Sequence, residues 1–171
     1  MKKRLKELQR LMAHGHCAES HTHVHNTHGN LRKLVQCYFY YIRQCVQKGF
    51  PSLDYMRQYL GAGAAKYGGF IDTYGEITPQ RDMAFLGDSD CQFTAGGYSI
   101  HRVWLQHNSR LTAIATDHSH LHIDCFGDTE LLVRVVSPTA RVYVNQYGNS
   151  HCEAEGCCEQ VITTIHNQET Y

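Results

Sequence analysis

The chain has no apolar run near the twenty residues that a membrane-crossing helix needs. Its start, Met1 to Arg10, is basic, but no apolar signal-peptide core follows, so the expectation is a cytoplasmic protein without a membrane partner. Overall charge is lacking too, with sixteen Lys or Arg against sixteen Asp or Glu. Also missing are a glycine-rich phosphate loop, a nucleophile elbow, a paired-carboxylate motif and a complete metal triad. These absences leave no catalytic residue and no organic-cofactor-binding residue to assign, and they favour a non-enzymatic role.

The charge that is present is unevenly placed. Residues 1–80 carry eleven Lys or Arg against five Asp or Glu, and residues 81–171 carry five against eleven. A basic helical and capping region, 1–80, followed by an acidic β-repeat domain, 81–171, is the expected division. Eight cysteines suggest a disulfide set until their places are considered. Cys91 and Cys125 occupy inward strand slots, Cys37 and Cys45 lie in a helical pattern, and Cys157 and Cys158 are adjacent. Reduced core thiols fit a chain without an export signal.

What the sequence does have is a ruler. Ser89, Ser99, Ser109, Ser119, Thr129 and Thr139 fall ten residues apart, each beside a short polar or glycine-containing cluster. Apolar residues follow at two-residue spacing: Cys91, Phe93, Ala95; His101, Val103, Leu105; Leu111, Ala113, Ala115; Leu121, Ile123, Cys125; Leu131, Val133, Val135. Alternation of this kind buries one face of a strand, and its regular recurrence lays each strand beside a counterpart. The predicted fold class is α+β, with N-terminal helices followed by a short ten-residue-repeat β-solenoid. Two or more units would form each coil, with hydroxyls stacked at its corners. An antiparallel β-sandwich is the alternative. At Arg141, Tyr143 and Asn145 the inward slots turn polar, which predicts a register slip or bulge.

Ahead of the repeat, Lys2 to Ala13 reads as an amphipathic helix with Leu5, Leu8, Leu11 and Met12 on one stripe. It would pack on its own domain or on a second copy. Asn30 is placed to cap a helix over Leu31 to Lys48 that stops at Gly49, and Ser52 to cap the next. Lys66 to Thr78 reads as strand, turn and strand entering the stack. The helical pair has a helix-turn-helix outline, but few base-reading side chains. Nucleic-acid contact through the basic residues therefore ranks below a protein partner.

The chemically densest segment is 14–28. His14, His16, Cys17, His21, His23, His25 and His28 are ligand types suited to zinc, nickel or copper, and His21, His23 and His25 share a face if the segment is extended. Zinc or another transition metal is the one cofactor expectation. His-x-His also opens amidohydrolase metal sites, but those need a barrel of about 250 residues that a β repeat does not supply. His118, His120 and His122 face outward from a strand. His151, Cys152, Cys157, Cys158 and His166 offer a second zinc arrangement, against which a plain strand with buried thiols is preferred.

Phe50-Pro-Ser-Leu, Lys66-Tyr-Gly-Gly-Phe-Ile-Asp, Ile77-Thr78 and Leu86-Gly-Asp-Ser89 ahead of a β repeat resemble, over residues 50–150, proteins of unassigned function encoded by phages, prophages and mobile elements of gut bacteria. The resemblance implies a virion component or a small factor acting inside the host cell. Joined to the repeat, it gives the expected function: a structural or protein-interaction protein that is homo-oligomeric through its helical end and presents its solenoid to a viral or host protein. Metal binding or metal-dependent hydrolysis is the alternative, and nucleic-acid binding the third reading.

Overall fold

A computed structural model describes residues 2–12 and 18–171, and the chain divides into two compact units, Met1–Tyr67 and Gly68–Tyr171. The first is helical: α1 (Lys2–Met12), α2 (Ala18–Asn26), α3 (Leu31–Tyr40), α4 (Ile42–Lys48) and α5 (Leu53–Tyr55), the last running on through a π turn, Met56–Leu60, into a 3-10 helix, Gly61–Tyr67. Three boundaries follow from cap chemistry. The Asn30 side chain accepts from the Lys33 N–H, Ser52 accepts from the Tyr55 N–H, and Gly49 ends α4 at φ 56°. The single helix expected over Leu31 to Lys48 is interrupted at Tyr41, which leaves helical geometry at φ −104°, ψ 20°. Leu8, Val24, Leu34 and Tyr55 form the core of this unit, with Leu11, Cys37, Phe50, Tyr59 and Leu60 packed on it. Leu8 of the α1 stripe is thus buried within its own unit; the side chains of Leu5 and Met12 lie outside the described set.

The second unit holds eleven strands: β1 (Gly69–Ile71), β2 (Tyr74–Glu76), β3 (Asp82–Leu86), β4 (Asp90–Ala95), β5 (Ile100–Leu105), β6 (Arg110–Ala115), β7 (His120–Cys125), β8 (Glu130–Val135), β9 (Arg141–Gln146), β10 (His151–Gly156) and β11 (Val161–Ile165). Odd strands form a six-stranded sheet in the order β1-β3-β5-β7-β9-β11, and even strands form a five-stranded sheet in the order β10-β8-β6-β4-β2. Every pairing is parallel. This is a two-sided β-solenoid, and the antiparallel sandwich is not the fold. Leu111 pairs with Leu131, and Val103 with Ile123, so one coil takes about twenty residues and the chain crosses both sheets in making it. The pairing does not establish a ten-residue repeat as the unit of stacking.

The hydroxyls ahead of β4 to β8 accordingly fall into two columns, whereas Thr139 drops out and buried Ala140 takes the place next to Ser119. The N–H groups of Arg110, Glu130 and His151 donate to the carbonyls of Ser89, Ser109 and Thr129, while those of His120 and Arg141 donate to Ser99 and Ser119. Ser89 donates to the Leu86 carbonyl at 2.8 Å, and Ser109 to the Phe85 carbonyl at 3.3 Å. Inside, Phe93, Val103, Leu121, Ile123, Val133 and Val142 are fully buried, since alternate residues of each strand face the opposite sheet. The polar slots at Arg141, Tyr143 and Asn145 have a simple cause. The turn 136–140 before β9 is one residue longer than each of the four turns before it, which shifts Val142 and Val144 inward. β9 then pairs with β7 without interruption, so there is no bulge.

Candidate functional site

The histidine-rich segment is helical where it is described. His14, His16 and Cys17 lie outside the described residues, while His21, His23 and His25 sit on α2 and His28 follows it at φ 50°. In a helix, residues two apart point about 200° from one another, so the extended run with three imidazoles on one face does not form. Instead Val24 and Ser20 are buried, the His23 Nδ1 is hydrogen-bonded to the Tyr41 hydroxyl at 2.7 Å, and the His25 and His28 rings lie 6.2 Å apart. Among the described residues, no three His, Cys, Asp or Glu side chains converge as a metal-binding group. At the end of the chain, His151 bonds Glu153, Cys158 bonds the Ala154 carbonyl, and His166 stacks on Tyr147, so these residues turn to separate partners.

Within the helical unit Leu8, Val24, Leu34, Tyr38, Phe50 and Tyr55 help to enclose an apolar cavity of about 50 Å³. That is well below the roughly 300–1,000 Å³ of pockets for drug-sized ligands. Burial pushes the Cys45 thiol, which also lines it, up to about 12, with Cys37 adding a smaller effect. A thiol held protonated in this way is a packing group rather than a nucleophile.

The solenoid offers two outer faces of different chemistry. On the five-stranded sheet, charged residues answer one another along the stack: Arg110 pairs with Glu130 at 3.0 Å, and Arg134 with Glu155 at 2.8 Å. Two ion pairs thus run along that face. On the six-stranded side, the strand starts and the turns that lead into them are aromatic and imidazole-rich. Tyr98 stacks on His118 at 4.7 Å and His122 on Tyr143 at 4.9 Å, with Ile100 and His120 in the row between them. The twenty-residue register makes these stacks, because residues one coil apart are in-register neighbours on a single face. Tyr98 is 84 % exposed and Ile100 59 % exposed.

The other half of the same face is covered by the final residues. The Gly148 N–H donates to the Gln168 carbonyl, and the chain turns back so that Tyr171 packs edge-on against Phe126 and Tyr147. The Trp104 Nε1–H donates to the Tyr171 hydroxyl at 2.8 Å, which donates to Asp124 at 2.5 Å, and Asn145 donates to the same carboxylate at 2.7 Å. Residues 167–171 are thus docked on this face rather than frayed. The aromatic ladder Phe126, Tyr147, His166 supplies the surface that holds them. The outward placing of His118, His120 and His122 was readable from the alternation, but their tyrosine partners were not, because they lie about twenty residues away along the chain.

No protein-family model, curated protein or solved structure matches the chain. Among the described residues, no helix is long and apolar enough to cross a membrane.

Proposed function

We propose that the protein is a non-enzymatic interaction module that binds a partner protein through the open half of its six-stranded face. The observation that carries this reading is the pair of stacks, Tyr98–His118 in the turns that lead into β5 and β7 and His122–Tyr143 on β7 and β9, with Ile100 between them. Tyrosine is enriched at the centres of protein interfaces because it offers large, stiff, amphipathic contact area. The parallel strands fix His122 and Tyr143, and the short turns anchored by them stack Tyr98 on His118, so little order has to be imposed on binding. The setting that goes with it is phage-associated, either in a virion or inside the host cell, and this rests on the sequence resemblance alone.

The test is affinity capture from infected or lysogenic cells with the intact chain and with a Tyr98→Ser, Ile100→Ser variant. A protein retained by the first and lost by the second, at equal thermal stability, supports the reading. Equal retention by both, or no retained protein, contradicts it. Immunodetection of the chain in purified particles separates a virion component from a host-directed factor.

A further inference from the structure

The last coil of the solenoid is built like its predecessors but is left open. In the coil beneath, Leu131, Val133, Val135, Val142 and Val144 are at most 2 % exposed. Their neighbours one coil on are Cys152, Ala154, Gly156, Val161 and Thr163, which are half-buried or exposed. Ile165 is 74 % exposed and Ile162 is 53 % exposed. The backbone is open as well. His151, Cys157 and His166 turn their N–H groups to the preceding coil, so by strand alternation those of Cys152, Ala154 and Gly156, and of Val161, Thr163 and Ile165, point to the free edge. Unprotected sheet edges are normally blunted with charge. β10 carries Glu153 and Glu155, whereas every residue of β11 is β-branched and uncharged.

We propose that a second copy of this chain closes this end, the two stacks meeting head to head across a two-fold axis with β10 of each copy paired antiparallel to β11 of the other. Two such arrangements continue both sheets, and charge decides between them. Pairing β10 with its own counterpart sets glutamate against glutamate, which is destabilising in directly opposed cross-strand positions. Pairing β10 with β11 sets Glu155 against Ile162 of the second copy and Glu153 against Thr164 of the second copy. In that register Thr163 meets Ala154, Val161 meets Gly156 and Ile165 meets Cys152, each across the copies. All six have edge-facing N–H groups, so the free donors and acceptors of one copy face those of the other, and the inward residues of both last coils close on one another. The surface is distinct from the tyrosine and histidine face, so either proposal can fail alone.

Sedimentation equilibrium of the full chain tests it. A concentration-dependent dimer is expected. Thr163→Pro removes an edge-facing N–H without taking one from β9, a position where edge strands tolerate proline; it should return a monomer with an unchanged circular dichroism spectrum. Ile162→Lys places an ammonium opposite Glu155 of the second copy, and should tighten the dimer about threefold. A monomer at every concentration, a species larger than two, or a dimer loosened by Ile162→Lys would each overturn the proposal; the last would indicate β11 paired on itself.

Discussion

Cysteine chemistry is set residue by residue by burial. Burial pushes Cys91 and Cys152 up to about 11 and Cys45 to about 12, and raises Cys125 well beyond the ordinary value. Thiolate is therefore scarce at these sites at pH 8, whereas Cys158 is exposed. Maleimide labelling followed by peptide mass analysis should mark Cys158 first, with Cys45, Cys91 and Cys125 protected until the chain is unfolded; prompt labelling of Cys125 would contradict the assigned core. The same shifts fix a pH dependence. Above pH 9 the unfolded chain gives up thiol protons that the fold retains until its raised values are passed. The unfolded state then binds fewer protons and stability falls as pH rises. A melting temperature that declines between pH 8 and pH 11, less steeply in a Cys45→Ala, Cys91→Ala variant, is the expected outcome. A glycine closes the account at this scale. Gly156 lies at φ 80°, and a Cβ there would sit 2.1 Å from the Val135 carbonyl oxygen. Gly156→Ala should cost about 1–3 kcal/mol, read as a lowered midpoint in urea.

Individual elements show which physical signals the sequence carries and which it hides. Asn30, Ser52 and Gly49 mark helix ends because capping is local chemistry, completed within a few residues. The strands from β4 to β8 were readable for a similar reason: two-residue alternation with Ser or Thr ahead of each is a property of one strand alone. The sequence asked for two or more ten-residue units in each coil but did not fix their number. Two strands of equal length on opposite sides of a core carry the same local pattern, and only the pairing of Leu111 with Leu131 shows that the neighbour is two strands away. The alternating histidines of α2 mislead in the opposite way. His21, His23 and His25 imitate a strand face, while helix formation is decided by Val24 packing with Leu8 and Leu34. At the level of an element, Ile123→Ala in β7 should cost about 2–5 kcal/mol, because its side chain is fully buried between the sheets. Tyr171→Phe should shift the emission of Trp104, the only tryptophan, by removing its hydrogen-bond acceptor. Unchanged emission would mean that the final residues do not lie on the six-stranded face.

For the whole molecule, function follows from what a stack of parallel strands can and cannot offer. Its interior is filled by side chains, so the recognition proposed for it falls to the outer faces and the ends. Of the two faces, one carries two ion pairs and the other exposes stacked aromatic and imidazole rings. The outward histidines were visible in the sequence. The face they build with Tyr98 and Tyr143 depends on a neighbour twenty or so residues distant, and so does the identity of the open last coil. Everything argued for the faces and the end therefore depends on the coil length. Backbone nuclear Overhauser contacts in the uniformly labelled chain measure it directly. Contacts joining residues twenty or twenty-one apart, such as Leu111 with Leu131 and Leu121 with Val142, are the predicted result. Short Hα–Hα contacts between successive strands, the signature of an antiparallel meander, would contradict it.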